Sequence, residues 1–231
     1  MKRALVLAGL VAASLAWAED AMATRECDGL DVCIRVPGPW VAVPAAPVGA
    51  TQTVLYQLSC PRNSIAGGLD AVLGDRSLDV VFLGQLGSPV NPGITTRRDV
   101  VFVATHAGNR PTTFRPLLGC IPTSGGGGRQ TTGVAPRAEP PVRRVGSLRL
   151  RAGGAQTHAQ TCRPNERLVG SSHAVAFRTP TAPPAQLLTS VTAARRTDGR
   201  RVVVRAQRSI AVPLRTRVEV QVHALCAKGA A

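Results

Sequence analysis

Large side chains and lysine are both scarce in this chain. Seven aromatic residues occur in 231, and one of them, Trp17, lies in the N-terminal stretch discussed below. The other six (Trp40, Tyr56, Phe82, Phe102, Phe114 and Phe177) barely supply a core, which leaves none for exposed sugar platforms or base stacking. Lys2 and Lys228 are the only lysines. The preference for arginine accompanies abundant Ala, Gly and Pro, so by itself it carries no functional weight. No Cys-x-x-Cys pair occurs, and the four histidines (His106, His158, His173, His223) are at least 15 residues apart. Structural zinc needs clustered Cys and His, so no metal ligands are expected. His-Glu-x-x-His, the Gly-x-Ser-x-Gly elbow and Gly-Lys-Ser/Thr are also missing, which speaks against those protease, esterase and nucleotide-binding sites. No cofactor is expected.

The first residues, MKRALVLAGLVAASLAWAED, read as a secretory signal covering 1–18. Lys2 and Arg3 form the positive start, Ala4 to Leu15 is uncharged, and Ala16-Trp17-Ala18 is a small-x-small cleavage site. The apolar run is shorter than the ~20 residues that span a bilayer, and no second long run follows. The expected product is a soluble protein without a transmembrane segment, secreted or periplasmic, in a compartment that permits disulfides.

After the signal, short runs alternate apolar and polar residues between Gly, Pro and Asn. RVEVQVHALC (217–226) is the clearest, with Val218, Val220, Val222, Ala224 and Cys226 sharing one face. TVLYQL (53–58), LDVVFL (78–83), DVVFVAT (99–105), HAVAFR (173–178), LLTSVTA (187–193) and RVVVRAQ (201–207) read the same way. TSGGGGRQTTGVAPRAEPPVRR (123–144) lacks apolar periodicity and reads as a flexible Gly/Pro-rich linker. The expected order is a Pro-rich N-terminal module with a small Cys loop (19–50), a first unit (51–122), the linker, and a second unit (145–231). The fold class is all-β, built of two related disulfide-stapled β-sandwich-like units.

The relation between the units rests on spacing. CPRNSIAGG (60–68) returns as CRPNERLVG (162–170), and later cysteines follow each after 60 and 64 residues. Six cysteines allow 15 pairings. A unit under ~90 residues gains little from its core alone, and closing a loop of about 60 residues adds roughly 4 kcal/mol. The expected pairs are therefore Cys60–Cys120 and Cys162–Cys226, which leaves Cys27–Cys33 across CDGLDVC. Glycine after the cysteine suits a tight bend or a close strand approach.

The pattern Cys-Pro-x(5)-Gly-Gly at Cys60-Pro61 and Gly67-Gly68, followed by alternating strands and a closing cysteine, resembles a motif of secreted bacterial proteins of unknown function. There the motif usually reads Cys-Pro-Ala-Gly with further glycines. The second copy departs, with Cys162-Arg163-Pro164 and Gly170 alone. The resemblance covers about 51–121 and 155–227 and implies a secreted β-sandwich-like domain with no assigned activity.

Charge supplies the partner information. Residues 19–123 hold 8 Arg and 9 Asp/Glu, net −1; residues 124–231 hold 18 Arg/Lys and 4 Asp/Glu, net +14. Asp198-Gly199 signals a type I′ hairpin that gathers Arg195, Arg196, Arg200 and Arg201 at one end of a sheet. Arg205, Arg208, Arg215 and Arg217 extend the charge along nearby strands, and Arg205 joins the first four as the expected anion-binding set. Guanidinium pairs bidentately with phosphate and carboxylate, so the expected partners are anionic polymers: lipopolysaccharide, teichoic acid or extracellular DNA. Sequence-specific nucleic-acid reading is not expected, since no recognised binding motif occurs. The expected role is a non-catalytic structural or binding protein. The alternative is an extracellular hydrolase using Asp70, Asp75, Asp79 or Asp99, or Ser171-Ser172-His173, in which Ser171 and His173 share a strand face. A deep pocket joining Asp70, Asp99 or His173 would favour that alternative.

Overall fold

The computed structural model describes residues 24–30, 32–83, 98–122, 141–210 and 215–229. The signal segment 1–18, most of the linker and most of the basic turn TTRR (95–98) lie outside the described residues. Among the described residues no helix is long and apolar enough to cross a membrane.

Among the described residues the fold is all-β with one short helix. Its strands are β1 (Ile34–Pro37), β2 (Trp40–Val43), β3 (Gln52–Ser59), β4 (Ser64–Leu73), β5 (Leu78–Leu83), β6 (Asp99–His106) and β7 (Thr112–Pro122) in the first half. The second half holds β8 (Val142–Leu150), β9 (Gly153–Thr161), β10 (Glu166–Arg178), helix α1 (Ala185–Thr189), β11 (Val191–Asp198), β12 (Arg201–Arg208) and β13 (Arg217–Lys228). LLTSVTA, expected as one strand, divides: Leu187–Thr189 belong to α1 and β11 begins at Val191. Pro184, at φ −67°, is already set for a helical turn, and Leu188 N–H donates to its carbonyl. The last three residues read as linker, 142–144, are already in β8.

Every pairing is antiparallel. β3, β6 and β5 form one three-stranded sheet, and β9, β12 and β11 form another in the matching order. The remaining seven strands make one sheet, running β4, β7, then β1 and β2, then β10, β13 and β8. β1 and β2, expected within a Pro-rich N-terminal module, share a single edge of β7 and are interrupted at Pro37-Gly38-Pro39. Pro116 survives inside β7 because its donor-less nitrogen faces that interruption, where Gly38 N–H bonds the Pro116 carbonyl.

The alternation of side chains puts one small sheet on each face of the large one. β10 sends Ala174 and Ala176 into the core under β3–β6–β5, and Phe177 and Val175 into the core under β9–β12–β11. β2 divides likewise, with Val41 and Val43 on one side and Ala42 on the other. The halves are therefore joined through a continuous sheet. Glu219 and Gln221, on the face of β13 away from its valines, meet β3: Tyr56 Oη donates to Glu219 at 2.5 Å, and Gln57 N–H donates to Gln221 at 2.7 Å.

The disulfides are Cys27–Cys33, Cys60–Cys120 and Cys162–Cys226, as the spacing predicts. Around the two long-range bridges the halves agree in detail. Ser64 N–H returns to the Pro61 carbonyl and Glu166 N–H to that of Arg163. Ala66 sits opposite Cys120 and Leu168 opposite Cys226, and in each case the register slips by one residue just afterwards. The paired glycines of the first half have their own cause. A Cβ on Gly68 or Gly119 would collide with the carbonyl of Glu26, the residue just before the Cys27–Cys33 loop. At Gly170, the corresponding place in the second half, an added Cβ meets only Leu225, at 3.4 Å.

Candidate functional site

β11 and β12 form a hairpin whose closing pair is Asp198 and Arg201. The central turn residues are thus Gly199 and Arg200, one position later than the expected Asp198-Gly199. Gly199 has φ +52°, and placing glycine first with a residue of negative φ second is the type II′ requirement rather than I′.

This register sorts the five arginines expected to cluster. Arg196 lies opposite Val203, and Arg205 lies between Ala194 on β11 and Thr157 on β9. With Arg201 they occupy the outer face of the small sheet, away from the buried Val202, Val204 and Ala206. All three are exposed, and none makes an ion pair or side-chain hydrogen bond among the described residues. Between them lie Ala155, Thr157, Ala194 and Val203, the floor of a shallow trough. Val203 is buried on this face, under the arginine stems. Asp198, beside Arg201, is the carboxylate of the same face.

Arg195 and Arg200 do something else. Arg195, one residue out of phase, turns toward the large sheet and donates to the Ser171 carbonyl. Arg200 bends back over the disulfide and donates to the Cys162 carbonyl at 3.3 Å. Beyond the hairpin, Arg217 lines a second basic hollow with Arg149, Arg151 and the buried Arg208. Sequence reading counted Arg208 and Arg217 as extensions of the hairpin patch; their place at another end of the sandwich depends on the β8–β9 connection.

The residues considered for catalysis are dispersed. Asp70 accepts the Arg25 N–H and lines a hollow beside β5. Asp75 sits in the turn before β5, where Ser77 N–H bonds hold its carboxyl below the ordinary range. Asp79 lines the same hollow as Asp70, and Asp99 bonds Ser59 Oγ at 2.5 Å. His173 lines a crevice between the halves, together with Ser172 and Arg195. Burial, then the Arg195 charge, holds its imidazole below the ordinary pKa. No carboxylate lines that crevice among the described residues. Sequence reading missed it, because its walls come from residues 42–54 and 172–195 and no local pattern links these stretches.

Among the described residues one trio of donor groups, Cys162, Glu166 and Cys226, lies within metal-binding distance. The disulfide takes both sulfurs, and Glu166 accepts from Arg144 at 2.6 Å and from the Arg163 N–H at 2.8 Å. The trio is a saturated structural cluster.

The outer face of β3–β6–β5, the counterpart of the arginine face, is built differently. Leu55, Val81, Leu83 and Val103 stand where the second half carries charge, and Val81 and Leu83 are 52% and 54% exposed. In comparisons with known proteins, no family model, no curated protein and no solved structure matches the chain.

Proposed function

We propose that the protein is a non-catalytic binding protein of the cell envelope or its surroundings, engaging phosphate-bearing polymers through the outer face of β9–β12–β11. The observation that carries this reading is the set Arg196, Arg201 and Arg205, exposed on one strand-defined face and without partners among the described residues. Arg201 and Arg205 stand about 13 Å apart along β12, with Arg196 between them on the neighbouring strand. A flat, repeating cationic surface of this kind matches a chain of anionic groups better than one small ion. Arginine forks pair bidentately with phosphate, and the small residues of the trough allow a backbone to approach. Three disulfides fit an oxidising compartment. We further read the halves as two copies of one unit, a reading supported by their matching strand order, turns and register slips. One copy then kept a binding face that the other lacks.

The test uses the full mature chain and the triple variant Arg196→Gln/Arg201→Gln/Arg205→Gln. Purified lipopolysaccharide, lipoteichoic acid and duplex DNA serve as separate probes at low salt. The triple variant should bind the preferred probe at least about tenfold more weakly. With duplex DNA, the slope of log affinity against log salt should shrink by about 2–3. Unchanged affinity and slope for all three probes would remove the reading.

A further inference from the structure

The seam between the halves closes unevenly. β10 runs beside β13 along its whole length, yet on its other edge only Ala176 and Phe177 pair with β2. β2 then follows β7, its Val43 opposite Thr112. The strands splay, and a crevice of about 480 Å³ opens between the end of β2, the start of β3 and the stretch of β10 that β2 leaves. α1 and the start of β11 bound its far side.

The walls are mainly aliphatic, with Val43, Val54, Ala174, Leu188 and Val191 among them. Gln52, Thr53, Ser172, His173, Thr189 and Arg195 break this lining with polar groups. Ser172 Oγ is itself buried, with no hydrogen-bond partner among the described residues. Arg195 lines the crevice while donating to the Ser171 carbonyl, and its guanidinium fork carries more donors than one carbonyl uses. His173, kept below its ordinary pKa by burial and by Arg195, adds no second cation at neutral pH. The result is a mainly apolar slot with, among the described residues, a single positive charge and no carboxylate to answer it. Its volume falls within the ~300–1,000 Å³ of small-molecule sites.

We propose that this crevice binds a small amphiphile bearing one carboxylate, its chain against the aliphatic walls and its head on Arg195. The crevice differs from the arginine face in being concave and mostly apolar, and Arg195 borders both it and the trough of that face.

Calorimetric titration of the full mature chain with decanoate, below its aggregation concentration, tests the assignment, with decylamine as the matched cation. Decanoate should bind at one site per chain, and decylamine about tenfold more weakly or worse, since it forfeits the charge-assisted hydrogen bonds. Arg195→Gln should weaken decanoate by about tenfold or more. If that variant does not fold, Thr53→Trp and Thr189→Trp decide the matter: both positions are exposed at the crevice, and a bulky ring there should block entry. The proposal is overturned by any of three results: no decanoate binding, equal binding of decylamine, or full affinity in a folded Arg195→Gln or Trp variant.

Discussion

His223 is fully buried on β13, opposite Ser172, and neither ring nitrogen has a hydrogen-bond partner among the described residues. Burial, then the Arg143 charge, lowers its pKa to about 3 from an ordinary 6.5. The unfolded chain therefore binds a proton that the folded chain refuses. Stability is intact above about pH 6.5 and falls by about 1.4 kcal/mol per unit as pH drops toward 3. Urea unfolding at pH 7 and pH 5 should reveal roughly 2 kcal/mol of this loss in the parent. His223→Leu should remove it, with little cost at pH 7, because the ring makes no hydrogen bond to lose. An identical acid response in parent and variant would contradict this account. Tyr56 is a contrasting case: burial and Glu219 raise its phenol far above the usual value, so it stays a donor to that carboxylate. On this face of β13, Glu219 and Gln221 thus serve the contact between halves, and His223 beside them has no hydrogen-bond partner among the described residues.

At the scale of elements, glycine placement separates two strands that otherwise correspond. β4 and β7 carry Gly68 and Gly119 because the Glu26 backbone crosses directly over them, while Gly170 of β10 has ordinary space around it. Gly119→Ala should therefore displace the Cys27–Cys33 loop and cost about 1–3 kcal/mol, as overpacking usually does. Gly170→Ala should cost less than about 1 kcal/mol. Chemical denaturation of both variants checks the contrast, and equal costs would mean that the loop does not constrain the sheet. The β11–β12 hairpin shows how one residue of register matters. Centring the turn on Gly199-Arg200 keeps Arg196, Arg201 and Arg205 on the outer face and leaves Arg195 for the junction.

Across the whole molecule, each half carries one long-range bridge, Cys60–Cys120 in the first and Cys162–Cys226 in the second. Their loops of 60 and 64 residues are nearly equal, so removing either pair should cost a similar amount, about 4 kcal/mol by loop-closure entropy. Cys60→Ser/Cys120→Ser and Cys162→Ser/Cys226→Ser variants, compared by urea unfolding, test that equality. Because β2 pairs with β10 and Tyr56 with Glu219, each variant should still unfold in one transition; separate transitions would show halves that stand alone. Charge is distributed on the same scale, with an arginine face on one small sheet and an aliphatic face on its counterpart.

β3, β5, β6, β12 and β13 were legible because an alternating run such as 217–226 buries one face whatever its neighbours are, while β4, β7, β8 and β9 went unread; the bridges were legible because two long, similar cysteine spacings suited two small, core-poor units. The +14 charge of residues 124–231 is likewise a property of the chain alone. Sequence did not decide which arginines share a face, since a shift of one residue in a turn moves a side chain to the opposite side of a sheet. Nor did it decide that the halves share a sheet, or that β2 leaves β10 after two residues and opens a crevice. Those outcomes follow from pairing between segments more than a hundred residues apart, where the free energy depends on surfaces that exist only once both strands are folded.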